Sequence, residues 1–383
     1  MNINVNQVEL KNAIEKLERL LHKAHIPVLD SILLTADNNE ITITANNLVS
    51  SLTVNILGDI IESGSILIDK SNFKLIKKLT GILNITSIDN MGIVNINTEE
   101  EKQAVVSNTI TIKANRNLKF NSILSEQYPE IPTDINSEAF VIPENVFKDK
   151  LKIKVFSAKG HFREVFNGVL ISEDDMVANN THYLARYKLN IENKCDDQMN
   201  IPIQSIDELD KILNNKSTKE LQFYFKKDDD NKEMKYIKIV GNDFTYTTRL
   251  TEGVYPNYKQ VIPDNFHTFV DIKKDQLQDT LEFAMEVVKD DKLRPIYFNI
   301  KEQLTINTPE EKEKSMSEII PSEITGEELE SIKFNSGYMS TILKVIDEDK
   351  VNIKLGNCHS PAVFTGENNE DELYVLVPMR LIA

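Results

Sequence analysis

Three lysines with no acid among them are the clearest chemical signal in the chain. Lys74, Lys77 and Lys78 fall in a predicted helix over 71–80 that holds no Asp or Glu. Their spacing sets them on adjoining turns of one helix. There they can attract phosphate by charge alone, without reading bases. An ordinary solvated face is the competing reading of such a run. The chain as a whole is acidic, with 44 Lys and Arg against 60 Asp and Glu and a net charge of −16 at pH 7. By itself that favours solubility and disfavours nucleic acid. The acids, however, gather in predicted turns such as Glu99-Glu100-Glu101, Asp228-Asp229-Asp230 and residues 367–372. An acidic body with locally basic helices is what the distribution describes.

Other chemistries lack their residues. There is no Gly-x-x-x-x-Gly-Lys-Ser/Thr phosphate loop and no Gly-x-Gly-x-x-Gly. His22, His25, His161, His182, His267 and His359 show no metal-binding spacing, and Pro27 follows the His22/His25 pair closely. Cys358 and His359 are adjacent on a predicted strand and point apart. Cys195 and Cys358, the two cysteines, suit a reducing compartment. The amino terminus lacks a signal-peptide layout and no apolar run reaches the ~18 residues of a membrane span. These absences are consistent with a cytoplasmic protein that is not an enzyme and needs no cofactor or metal, but they are weak evidence by themselves.

The elements that must position the lysines occur three times. Segments opening at Ile68, Ile201 and Phe334 each read as a strand end, a polar cap and an amphipathic helix, at a constant step of 133 residues. Their apolar positions coincide: Phe73, Ile206 and Met339; Ile76, Leu209 and Ile342; Leu79, Ile212 and Val345. A period this long implies three copies of a domain with its own core. Each copy opens with another predicted helix, over 6–23, 143–158 and 273–289. Strands are predicted over 31–36, 40–45, 48–56, 168–172, 221–226, 235–240, 244–248, 295–300, 304–307, 351–355 and 374–381. Ser205 with Glu208 reads as a capping box. Proline-rich connectors after Gln127 and Val254 mark the boundaries, giving domains 1–126, 127–255 and 256–383. Two helices covering antiparallel strands define an α+β module.

Three stretches carry a family resemblance. They are Thr248-Arg249-Leu250 through Tyr255-Pro256-Asn257-Tyr258 to Val261-Ile262-Pro263; Asn167-Gly168-Val169-Leu170 with Ala178 to Ala185; and the tail Tyr374-Val375-Leu376-Val377-Pro378-Met379-Arg380-Leu381. Together they resemble the beta subunit of bacterial DNA polymerase III, the sliding clamp, over the whole chain. The resemblance implies a head-to-tail homodimeric ring of clamp domains that encircles duplex DNA without sequence readout and tethers the polymerase as a processivity factor. It implies that Lys16, Arg19, Lys23, Lys74, Lys77, Lys78, Lys148 and Lys152 attract DNA, with Lys11, Lys211 and Lys344 as lesser candidates. It places a partner-peptide pocket at Phe166, Asn179, Thr181, His182, Tyr183, Leu184, Pro256, Gln260, Val261, Val375, Val377, Pro378, Met379 and Leu381. The polymerase alpha subunit, a clamp loader and repair proteins would share that pocket. Subunit contacts are expected near Ile110, Ile112, Val287 and Val288. Asn179 to Leu184 departs from the family's Thr-Asp-Gly-His-Arg-Leu, so Tyr183 stands where an arginine is usual. A clamp-like scaffold that binds partners without encircling DNA is the second reading.

Overall fold

The structure is a computed structural model that describes residues 1–21, 26–97, 100–129, 135–191, 195–227, 234–310 and 314–379; the side chains of 92–97, 100–104, 138, 195–197, 227 and 234 fall outside that description. The first copy runs β1 (Asn2–Asn6), α1 (Gln7–Leu17), β2 (Ser31–Asp37), β3 (Glu40–Asn46), β4 (Ser50–Ile56), β5 (Gly58–Glu62), β6 (Gly64–Asp69), α2 (Phe73–Ile76), β7 (Ile82–Asn97), β8 (Glu100–Lys113) and β9 (Asn117–Ser122). The second runs β10 (Ser137–Pro143), α3 (Glu144–Lys150), β11 (Gly168–Glu173), β12 (Asp175–Asn179), β13 (Tyr183–Lys188), β14 (Cys195–Pro202), α4 (Ile203–Ile212), β15 (Glu220–Lys227), β16 (Met234–Val240) and β17 (Phe244–Arg249). The third runs β18 (Thr268–Lys273), α5 (Lys274–Val287), β19 (Pro295–Ile300), β20 (Leu304–Asn307), β21 (Ser317–Ile320), β22 (Ser322–Gly326), β23 (Leu329–Asn335), α6 (Ser336–Val345), β24 (Lys350–Leu355), β25 (Ala362–Gly366) and β26 (Asn369–Leu376).

The repeat holds to the residue. β6, β14 and β23 end at Asp69, Pro202 and Asn335, and the helical segment begins at the next residue in each copy. Phe73, Ile206 and Met339 are fully buried, as are Ile76, Leu209 and Ile342. These are the positions that an amphipathic helix must turn toward its sheet. The sheets themselves alternate: Ile32, Leu34 and Ala36 face inward on β2, and a two-residue turn at Asn38-Asn39, both with positive φ, returns the chain into β3.

Several predicted elements are corrected. The helix over 71–80 shrinks to a 3-10 turn at Lys70–Asn72 and the single turn Phe73–Ile76. Like charges at Lys74, Lys77 and Lys78 oppose a longer helix. The helix over 6–23 ends at Leu17, and Lys23 lies outside the described residues. The stretch over 143–158 is α3 followed by a 3-10 segment, Leu151–Phe156, whose buried Ile153 and Phe156 sit three residues apart. The capping box at Ser205 fails, because α4 begins two residues earlier. Glu208 is 1 % exposed and accepts hydrogen bonds from Ser50 Oγ, Tyr246 Oη and Asn47 Nδ2 at 2.7–2.9 Å. The tail strand stops at Leu376. β1, β10 and β18 each precede a first helix and were not foreseen. Each buries only two alternating apolar residues, Ile3 and Val5, Phe140 and Ile142, or Val270 and Ile272, and runs into its helix without a turn signal.

The chain forms two compact units, Met1–Lys148 with Asp207–Leu250 and Asp149–Ile206 with Thr251–Ala383. The first holds sheets ordered β5-β1-β7-β8-β9 and β10-β15-β16-β17-β4-β3-β2-β6. In the larger sheet β17, the last strand of the second copy, pairs with β4 of the first, Thr248 opposite Ser50. The second unit holds β14-β11-β12-β13-β26-β25-β24-β18-β22 and β21-β20-β19-β23. There β26, the last strand of the third copy, pairs with β13 of the second, Leu376 opposite Tyr183. The remaining members of this pairing pattern are β9 and β21, and both are edge strands. Ile110 and Ile112, near which a subunit contact is expected, are fully buried on β8, between β7 and the edge strand β9.

Candidate functional site

Asparagines build the turn at the centre of the expected pocket. Asn179 Oδ1 accepts the Thr181 N–H at 2.7 Å, and Asn180 Oδ1 accepts the N–H groups of His182 and Tyr183 at 3.1 Å. These bonds hold Thr181 at φ 75°, a left-handed value that a β-branched residue rarely adopts. The first copy has the same turn. Asn46 Oδ1 accepts the Leu48 N–H at 2.7 Å, Asn47 Oδ1 accepts those of Val49 and Ser50, and Leu48 has φ 71°.

The second unit gathers most of the expected pocket residues. β13 and β26 set Leu184 opposite Val375. The Val377 N–H donates to His182 O at 3.0 Å, and the Met379 N–H to Lys333 O at 2.7 Å. Phe166, Leu184 and Val375 share one apolar cluster with Tyr255 and Tyr258. Tyr183 and Pro378 are also buried; Asn179, Pro256 and Met379 are half-buried; Thr181, His182, Gln260, Val261 and Val377 are exposed. Leu381 lies outside the described residues. Phe166, Leu184 and Val375 are therefore core, and Thr181, His182, Gln260, Val261 and Val377 are the exposed members of the expected set.

Tyr338 was missed by sequence reasoning. It stands on α6 where the other copies have Asn72 and Ser205, and that break in the repeat was the available signal. His182 stacks on Tyr338 with centroids 5.4 Å apart, and Tyr183 lies 4.9 Å from it. The rings continue through Phe156 and Tyr374 to Tyr187, each step between 5.3 and 5.7 Å. Lys150 and Lys152 end the ladder over the face of Tyr187. Tyr187 and Tyr374 share a hydroxyl hydrogen bond of 3.1 Å, and Tyr374 donates to Glu372. Burial raises both phenol pKa values.

The expected DNA-attracting cations divide by partner. Lys16 pairs with Asp243, Lys77 with Glu18 and Lys148 with Asp210. Lys152 pairs with Asp347 at 2.7 Å and Glu372 at 3.2 Å. Burial alone lowers its pKa, but these carboxylates outweigh burial and raise it. Arg19, Lys74 and Lys78 are exposed and make no ion pair among the described residues. Among those residues no group of three or more His, Cys, Asp or Glu could hold a metal, and no helix is long and apolar enough to cross a membrane.

The sequence matches the profile of the DNA polymerase III beta subunit, central domain, over 141–257 and that of its C-terminal domain over 259–380. A beta sliding clamp of Pseudomonas aeruginosa is 25 % identical over 93 % of both chains. One from Halalkalibacterium halodurans is 26 % identical, again over 93 % of each. The crystal structure of the P. aeruginosa DNA polymerase III subunit beta superposes with TM-score 0.84 at 22 % identity, covering all of both chains. The Bacillus subtilis DNA polymerase sliding clamp superposes with TM-score 0.81 at 19 % identity, covering 100 % of this chain and 99 % of that one. With the three-copy frame and both family domains laid along it, the chain belongs to the DNA polymerase III beta subunit family.

Proposed function

We propose that the chain is a DNA sliding clamp, a non-catalytic processivity factor that encircles duplex DNA and tethers a replicative polymerase. The observation that carries this reading is the pair of unmatched edges. Within the chain the last strand of a copy twice completes a sheet begun in the copy before it, β17 on β4 and β26 on β13. The first copy's last strand, β9, and the third copy's β21 have free edges. A second chain in head-to-tail order supplies both missing pairings and closes the structure.

In this reading the chain is a cytoplasmic homodimer of three-domain protomers, divided at 1–126, 127–255 and 256–383. Arg19, Lys74 and Lys78 draw phosphates, and the cations paired with acids respond more weakly. The pocket around His182, Val261, Val377 and Met379 receives a short extended peptide from the polymerase alpha subunit, the clamp loader or repair proteins. Lacking a nucleotide loop, the chain depends on a loader to open it. The test is retention of loader-assembled protein on closed circular duplex against the same duplex made linear. A clamp stays on the circle and slides off the linear form. Equal loss from both favours the scaffold that binds partners without encircling DNA.

A further inference from the structure

The pocket wall near Tyr183 is aromatic and uncharged. Tyr183 is 9 % exposed, and its hydroxyl donates to Val155 O at 3.3 Å. Its ring packs edge-on against Phe156 and tilts on Tyr338, on which His182 also stacks. Burial raises the Tyr183 pKa, so the phenol stays neutral through the physiological range. The exposed pocket residues Thr181, His182, Gln260, Val261 and Val377 include no carboxylate, ammonium or guanidinium. Of the charges flanking the site, Arg163 lies over the far residue Phe166, 5.3 Å from its ring centroid, and those nearer Tyr183 are engaged. Lys259 pairs with Glu173, and Asp175 accepts from Tyr258 and lies 4.0 Å from Arg186. Lys333 holds Met379 through its carbonyl and lays its ammonium over Tyr297.

We propose that Tyr183, backed by Tyr338, is a specificity-determining residue that makes this pocket select a partner segment carrying no charge beside its apolar anchor. The inference rests on the reading of the site as a partner-peptide pocket. A carboxylate brought against the Tyr183–Tyr338 wall loses water and meets no ammonium or guanidinium of the described residues that form it, whereas an apolar or amide side chain gains burial. Discrimination comes from the unpaired charge left in the rejected complex. An arginine at position 183 would supply the missing partner and reverse the preference.

The experiment measures the affinity of two capped peptides by fluorescence anisotropy at low and high salt. One carries glutamine and a terminal leucine-phenylalanine pair with neutral neighbours. Its twin has aspartate immediately before the leucine. The full-length protein should prefer the neutral peptide by roughly tenfold, with a ratio that salt hardly moves. Y183R should narrow or invert the ratio and make the aspartate peptide's binding salt-sensitive, whereas Y183F should keep the wild-type ratio. Equal affinity of the wild type for both peptides, or an unchanged ratio in Y183R, overturns the inference and leaves the pocket standing. Binding of neither peptide overturns the pocket reading and this inference with it.

Discussion

Leu75 and Glu208 occupy the same position of two sequence copies, one 49 % exposed and the other sealed by three hydrogen bonds. Glu208 closes its helix onto the strands of the preceding copy, and in the proposed homodimer Leu75 does the same on the strands of a second chain. Leu75→Asp should leave the protomer's stability within about 0.5 kcal/mol. It should weaken the dimer by roughly 2 kcal/mol. Sedimentation across a dilution series separates the two effects, and an unchanged dimer places Leu75 outside the interface.

Glu208→Ala tests the internal junction in the opposite sense. It strands the donors of Ser50, Tyr246 and Asn47 in a dry site, at a cost of about 3 kcal/mol in urea unfolding. Glu208→Gln keeps the volume and an acceptor and should cost distinctly less. Equal losses would mean that packing, not hydrogen bonding, is what the residue supplies.

Replacing Arg19, Lys74 and Lys78 together with glutamate should flatten the salt dependence of DNA retention by about one unit of log–log slope per lost contact. Lys16, Lys148 and Lys152 are each held by a carboxylate, so the same change there should act less. A larger effect from the paired set would move the phosphate contacts onto them.

Met379→Ala should weaken peptide binding by roughly 1–2 kcal/mol. Removing Pro378–Ala383 should abolish polymerase stimulation while the dimer persists. Full stimulation by the shortened chain would place the partner site elsewhere.

Tyr187 and Tyr374 predict an alkaline limit. Their folded-state pKa values lie above that of an unfolded tyrosine, about 10. The unfolded chain therefore loses these protons first as pH rises. Stability is whole below about pH 10 and falls above it. Tyrosinate absorbance from these rings should rise together with loss of secondary structure, and Tyr374→Phe should separate the two.

The repeat was legible because its signal is a period: Phe73, Ile206 and Met339 must all face a sheet, and periodicity records burial directly. Helix length was not, because it depends on charge repulsion at Lys74, Lys77 and Lys78 and on where α4 begins relative to Ser205. The residues of the expected pocket were marked by motif, but Tyr338 comes from a distant helix. No local pattern tells that its ring meets His182. Nor does an unpaired lysine differ from a paired one in sequence; Asp243 and Asp210 lie far along the chain from Lys16 and near Lys148 only in the fold.

The asparagine turns at Asn46 and Asn179 have a consequence for how such a chain diversifies. Side-chain oxygens hold both backbones, so the tips Leu48-Val49 and Thr181-His182 contribute little to keeping the turn in shape. Duplication thus left one turn design in two settings: the first tip accepts the Arg249 N–H at Val49 O and so joins two copies, whereas Thr181 and His182 are exposed at the second.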